Sequence, residues 1–184
     1  LLSKYAPELK ESGLKRVNVS LDTLRADRFK RITSGDKLEE VLSGIEAAHR
    51  AGLEPVKINT VVLRGINDNE ILDFARMSIS EGWHVRFIEF MPFGTSGVEA
   101  LKTVSTQEIR DRIQSLGKLE PHTGPAGNGP ARYYKLSGAK GTIGFISAMT
   151  EHFCATCNRL RLTADGQLRP CLLDDDEVNL KEAL

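Results

Sequence analysis

The chain has 184 residues, 40% of them hydrophobic and 27% charged, which suits one soluble domain, or a large piece of one, with a substantial core. Lys plus Arg and Asp plus Glu balance at 25 each, so the whole-chain field makes no case for nucleic acid or an anionic membrane, and any bound anion must be held by a local cluster. No apolar run of about 18 residues exists to span a bilayer, no signal-peptide pattern opens the chain, and an odd cysteine count with a close pair suits a reducing compartment, the cytoplasm by default.

The first residue is Leu1 rather than Met, and Asn179 to Leu184 reads as an unfinished helix, so the chain is expected to be a fragment. Residues 1 to 12 read as the end of a helix stopped by Gly13. Arg16 to Asp22 alternates with period two, Val17, Val19 and Leu21 on one face and Asn18 and Ser20 on the other, which predicts a strand. Lys37 to Ala51 carries Leu38, Val41, Leu42, Ile45 and Ala48 at helical spacing, with Gly52 as its stop. A second strand is predicted over Pro55 to Leu63, with Lys57 and Asn59 opposite Val56, Ile58 and Thr60. A helix capped within Asn67 to Glu70 runs to Ser80 and ends at Gly82. The third strand, His84 to Phe90, runs into Met91-Pro92-Phe93-Gly94. Ser105 or Thr106 then caps a helix through Leu116.

Strands 30 to 40 residues apart, alternating with helices, predict an α/β chain with a parallel sheet of right-handed crossovers. Three parallel strands alone would leave edges unpaired, so further strands are expected upstream. Residues 121 to 132 are rich in glycine and proline and read as a mobile loop. Beyond it, Tyr133 to Leu136, Thr142 to Ile146, Leu160 to Thr163 and Gln167 to Leu168 are expected as short strands of an antiparallel appendage, turning at Ser137-Gly138 and Asp165-Gly166. The expected division is therefore 1–120 and 121–184. Asp174 to Glu177 reads as a solvated loop or cap.

Chemistry concentrates in the second part. Cys154 and Cys157 form a Cys-x2-Cys pair, and Cys171 arrives from the following hairpin. Three thiolates are one short of a structural zinc site, whereas a cubane iron-sulfur cluster held by three leaves one iron open. His152 is the candidate fourth ligand for zinc, awkwardly close to Cys154. A thioredoxin-like redox pair fits less well, because Asn158 onward reads as strand rather than helix. Arg159 and Arg161 share a strand face beside the pair, with Arg169 on the partner strand, and two guanidiniums there would suit a phosphate or carboxylate. On the sheet, Asn18, Ser20, Lys57, Asn59, Arg86 and Glu89 are the polar strand residues that an interior cavity would use. Lys57 stands out, since a mid-strand lysine between apolar neighbours is costly to bury without an anion.

Taken together, Arg16 to Asp22, Val56 to Asn59, Arg86 to Pro92, and Phe153 to Leu162 with Cys171 resemble, in matching order, the molybdenum cofactor biosynthesis protein A family of radical S-adenosylmethionine enzymes, lyases acting as GTP 3′,8-cyclases. The resemblance implies part of an incomplete (β/α)6 TIM-like barrel, with a C-terminal antiparallel extension carrying a [4Fe-4S] cluster. It implies Cys154, Cys157 and Cys171 as metal ligands, and Lys57, Arg159, Leu160, Arg161 and Arg86 as GTP contacts. Ser20 and Met91 would line the S-adenosylmethionine side. In the complete protein a second [4Fe-4S] cluster would cleave S-adenosylmethionine, and the resulting radical would abstract the C3′ hydrogen of GTP before attack on C8. The Cys-x3-Cys-x2-Cys motif that holds that second cluster is absent from this sequence, so the piece is expected to be inactive by itself. GTP and S-adenosylmethionine are the implied partners; a homodimer stays open. A zinc-stapled binding module and a related radical enzyme that modifies peptides are the competing readings.

Overall fold

The computed structural model describes residues 1–92, 103–125, 129–171 and 176–183. The chain divides into two compact units, Leu1–His152 and Phe153–Leu184. None of the described helices is long and apolar enough to cross a membrane.

In the first unit the elements run α1 (Leu2–Glu11), β1 (Val17–Ser20), α2 (Ala26–Thr33), α3 (Leu38–Arg50), β2 (Val56–Val62), α4 (Ile71–Ser80), β3 (His84–Glu89), α5 (Thr106–Ile113), β4 (Leu119–Pro121), β5 (Arg132–Leu136) and β6 (Thr142–Ile146). A short 3-10 turn, Asp68–Glu70, leads into α4. All six strands form one sheet in the order β1-β2-β3-β6-β5-β4. The first four are mutually parallel, and β5 and β4 add antiparallel at one side. The three predicted strand-helix units are thus present and parallel.

Strands β5 and β6 depart from expectation, since they belong to this sheet and not to an appendage with the cysteines. The reason lies in β6, Thr-Ile-Gly-Phe-Ile, which is buried on both faces over its first four residues. A short run hidden on both sides is the mark of a central parallel strand, and its pairing with β3 carries β5 and β4 along. The composition change near 120 therefore marks the start of strands that widen the sheet, while the compact units divide after His152. Within the predicted loop, Pro121 pairs with Tyr134 and the His122 N–H donates to the Tyr133 carbonyl; residues 126–128 lie outside the described ones.

One face of the sheet makes the core. Val56, Ile58, Val85, Phe87, Ile143 and Phe145 pack beneath Ile45 and Ala48 of α3, Ile71, Phe74 and Ala75 of α4, and Ile109 and Ile113 of α5. Phe87 stacks on Phe145 at 6.2 Å between ring centroids, and Tyr134 meets Phe145 edge-on at 5.6 Å. Burying each such side chain contributes about 1.5–3 kcal/mol. Helix α1 lies against α3, where a Cβ on Gly44 would stand 3.2 Å from the Cβ of Leu2. The cap of α5 is Ser105, whose hydroxyl accepts from the Glu108 N–H at 3.2 Å. Helix α2 was not foreseen. It buries only Phe29 and otherwise reads as Asp27, Arg28, Lys30 and Arg31, too little apolar periodicity to show in sequence.

The second unit holds a 3-10 turn at Cys154–Thr156 and a three-stranded antiparallel sheet of β7 (Arg161–Leu162), β8 (Gln167–Arg169) and β9 (Val178–Asn179). The predicted Asp165-Gly166 turn closes the β7–β8 hairpin, with Gly166 at φ 86°. Where a terminal helix was expected, Asn179 ends β9 and Lys181–Ala183 form a single 3-10 turn; Leu184 lies outside the described residues, as do Phe93, Gly94, Asp174 and Asp175.

Candidate functional site

The sheet's second face is polar, and the strand register arranges it in rows. The first row is Asn18, Lys57, His84 and Thr142, neighbours across β1, β2, β3 and β6. The next row, nearer the carboxyl ends of the parallel strands, is Ser20, Asn59, Arg86, Gly144 and Tyr133. Asn18, Ser20, Lys57, Asn59 and Arg86 are therefore gathered on one surface, as their alternation in sequence implied.

Three cations set the electrostatics. Lys57 is only 5% exposed, and burial lowers its ammonium from the ordinary lysine range, with Arg86 and Arg16 pushing the same way. Its Nζ donates to the Pro125 carbonyl at 3.5 Å. Arg86 Nη2 donates to Asn18 Oδ1 at 2.9 Å; burial raises the pKa of the Tyr133 phenol, against the opposing pull of the Arg86 cation. Two buried polar atoms of this row, Arg86 Nε and Asn59 Oδ1, have no hydrogen-bond partner. Buried groups of this kind are rare in folded chains and usually await a ligand or water. His84 Nδ1 lies 2.9 Å from Thr142 Oγ1, and burial pushes the imidazole below its usual range. A surface carrying Lys57 and Arg86 with satisfiable donors around them can bind an anionic group.

Glu89 does not belong to this surface. It follows Arg86 by three residues and so faces the helices, 1% exposed. There its carboxylate accepts from the N–H groups of Thr106 (2.8 Å), Met149 (2.8 Å) and Thr150 (2.9 Å), and from the Thr150 hydroxyl. Despite burial, those bonds hold its pKa below the ordinary glutamate value. Met91, just past β3, is half-buried.

A second polar knot sits where β1 and β2 end. Asp22 Oδ1 accepts from the Val61 N–H at 2.8 Å, while Asn67 bridges the Asp22 and Val61 carbonyls and accepts from the Leu63 N–H. Buried Glu70 accepts from the Thr23 hydroxyl, the Leu24 N–H and the Arg28 guanidinium. These bonds shape the β1–α2 and β2–α4 turns and leave Glu70 and Asn67 occupied structurally.

In the second unit, Cys154 and Cys157 are exposed and Cys171 is half-buried. The pair is set by the 3-10 turn, in which the Cys157 N–H donates to the Cys154 carbonyl at 3.1 Å. Arg161 is registered with Arg169. Among the described residues no three His, Cys, Asp or Glu side chains are grouped tightly enough to hold a metal ion, so the turn and the hairpin end are present but the three thiols are not drawn together. A Cys-x2-Cys pair with a third cysteine on the following hairpin suits a cluster held by thiolates. His152 is exposed at the end of the first unit.

Burial alternates from Arg159 to Thr163, with Arg159 and Arg161 partly buried and Leu160 and Leu162 each 65% exposed. Leu160 thus points away from the two arginines. The Arg159 guanidinium lies 5.6 Å from the centre of the Phe153 ring, and Arg169 pairs with Glu177. Sequence reasoning missed Tyr133, His84, Thr142 and Gly144. Gly144 carried a usable signal, because a glycine inside a strand marks close approach of other groups.

Residues 83–184 match the Molybdenum Cofactor Synthesis C family, and residues 1–78 match the Radical SAM superfamily. A protein of Pelotomaculum thermopropionicum named GTP 3′,8-cyclase is 54% identical over 186 aligned positions, covering 100% of this chain. Proteins of the same name from Moorella thermoacetica and Heliobacterium modesticaldum are 52% and 50% identical, again across 100% of the chain. The chain spans 57% of the length of each of these relatives. A solved radical SAM methyltransferase from Sphaerobacter thermophilus aligns with 62% of this chain and 34% of its own, at 17% identity and a TM-score of 0.47.

Proposed function

We propose that this chain, which belongs to the Molybdenum Cofactor Synthesis C family, forms the GTP-holding part of a GTP 3′,8-cyclase acting in molybdenum cofactor biosynthesis. The observation that carries the proposal is the 54% identity to a GTP 3′,8-cyclase across the entire chain. The run of parallel β1, β2, β3 and β6 supports reading the first unit as part of an incomplete (β/α)6 barrel whose interior is the polar face.

On this reading the chain's own residues divide the work of binding. Lys57 and Arg86 take the triphosphate, where two cations offset a charge that one lysine could not. Arg159 and Arg161, on one side of their strand, offer two more guanidiniums, and the backbone of Leu160 between them is free to contact the substrate while its side chain faces away. Ser20 and Met91 stand at the carboxyl ends of β1 and β3, where an α/β sheet receives its ligands, and would border S-adenosylmethionine. Cys154, Cys157 and Cys171 would hold a [4Fe-4S] cluster, which when bound supplies an open iron for the purine. The chain's part in the reaction is to bind and orient its substrate. Such positioning converts encounter into a near-unimolecular step.

Calorimetric titration of GTP into the protein and its Arg159→Ala/Arg161→Ala variant tests this. A loss of tenfold or more in affinity is expected, since each truncated charged contact costs about 2–5 kcal/mol. Unaltered affinity would favour an enzyme whose substrate carries no triphosphate, such as a peptide.

A further inference from the structure

We propose that Tyr133 and Asn18 are positioning residues that clamp the Arg86 guanidinium from two sides over a floor left open by Gly144, presenting its Nε–H to an anionic oxygen of the ligand. The proposal rests on the cyclase reading only for the identity of that ligand, the triphosphate of GTP.

The clamp follows from the register. Arg86, Gly144 and Tyr133 stand side by side on β3, β6 and β5, so a side chain at the middle position would separate the outer two. A Cβ built on Gly144 would lie 3.0 Å from Arg86 Cγ and 3.0 Å from Tyr133 Cε1, tighter than ordinary contact. Glycine therefore lets the arginine stem and the tyrosine ring share its space, and brings the phenol within reach of the guanidinium. From the other side Asn18 Oδ1 takes Nη2. With Nη2 engaged by Asn18 and the stem beside the Tyr133 ring over Gly144, the fork loses little freedom on binding an anion.

The Nε–H donor is the telling one. Arg86 Nε is buried with no partner, and Asn59 Oδ1, next to it in the same row, is buried without one too. A purely structural arginine would turn Nε to an acceptor, because a buried unmet donor is destabilising. Tyr133 and Asn18 hold the group in a pose that serves a ligand instead. Arginine, unlike lysine, offers an oxyanion two parallel N–H groups.

The test uses the protein with GTP and with inorganic tripolyphosphate as probes. Tyr133→Phe and Asn18→Ala are each expected to weaken both by about three- to tenfold, the usual net worth of a hydrogen bond, at an unchanged melting temperature. Gly144→Ala should weaken them comparably although it removes no polar atom. In 1H–15N spectra the Arg86 Nε–H signal should move on adding tripolyphosphate and move less in Tyr133→Phe, a signature that a merely structural tyrosine would not alter. Wild-type affinity in Tyr133→Phe, or an Arg86 Nε–H signal indifferent to ligand, overturns the inference. GTP bound equally by wild type and Arg86→Ala also overturns it while the cyclase reading stands, whereas wild-type protein that binds no GTP overturns both.

Discussion

Replacing Glu89 by Gln removes a charge without changing size, and the structure states what that charge holds. Oε1 accepts from the Thr106 N–H and the Thr150 hydroxyl, and Oε2 from the N–H groups of Met149 and Thr150. A carboxamide keeps one acceptor oxygen, so two donors must face an NH2 group. Hydrogen bonds to charged groups contribute about 1.5–3 kcal/mol each, which puts the expected loss at about 3–6 kcal/mol, a large share of the roughly 5–15 kcal/mol that holds a domain together. At about 2–4 °C per kcal/mol for a chain of this size, the melting temperature should fall by about 6–24 °C. The pH dependence carries a separate signature. Because the folded-state pKa of Glu89 lies below the ordinary glutamate value, its contribution is fully present above the ordinary range and is lost as pH falls through the depressed value. Denaturant titrations at neutral and acid pH should therefore show the difference between wild type and Glu89→Gln shrinking in acid. A loss under 1 kcal/mol at neutral pH, or a difference independent of pH, would refute the assignment of Glu89 as the carboxylate tying β3 to the Ser147–Thr150 segment and to the start of α5.

Three further outcomes follow from the same geometry. Anion binding to the polar face should decline with rising pH before an ordinary lysine would lose its proton, because burial and then Arg86 and Arg16 lower the Lys57 ammonium; Lys57→Met should abolish that inflection in a tripolyphosphate titration. Between the lowered folded value and the ordinary lysine pKa the unfolded chain binds more protons, so wild-type stability should rise with pH there and Lys57→Met should not share the rise. The sequence contains three cysteines and no Cys-x3-Cys-x2-Cys, so the chain alone, reconstituted anaerobically with iron and sulfide, should bind a cluster in the second unit yet release no 5′-deoxyadenosine; bound zinc without iron, or substantial nucleoside product, would contradict this.

What sequence revealed and what it hid divide along a physical line. Strands β1, β2 and β3 were legible because each shows a single-residue alternation, apolar toward the helices and polar toward the other face, broken where β3 ends in Glu89. That alternation also carried Lys57, Asn59, Arg86, Asn18 and Ser20 into the candidate site, since a period of two fixes which side chains share a surface. Strand β6 has no alternation to read, being covered on both sides, and so its place in the sheet came only from pairing. Helix α2 was hidden for the opposite reason: its one buried side chain leaves a surface of charges that resembles a loop.

The row Ser20-Asn59-Arg86-Gly144-Tyr133 shows why the rest of the site could not be read ahead. Its first three members lie on strands whose order the crossover spacing suggests, but Gly144 and Tyr133 join the row only because β6 inserts beside β3 and β5 folds back against it. Tyr133 lies 47 positions beyond Arg86 in the chain, with the 93–102 segment and a glycine-proline stretch between them, so no local pattern links the two. The consequence is a rule for where undetected binding residues lie in such a sheet. They sit on strands whose pairing partners are distant in sequence, and a lone glycine in such a strand points to the row where a large side chain from each neighbour meets. Gly144 meets that description, and the arginine and tyrosine flanking it are the pair whose approach no periodicity could have announced.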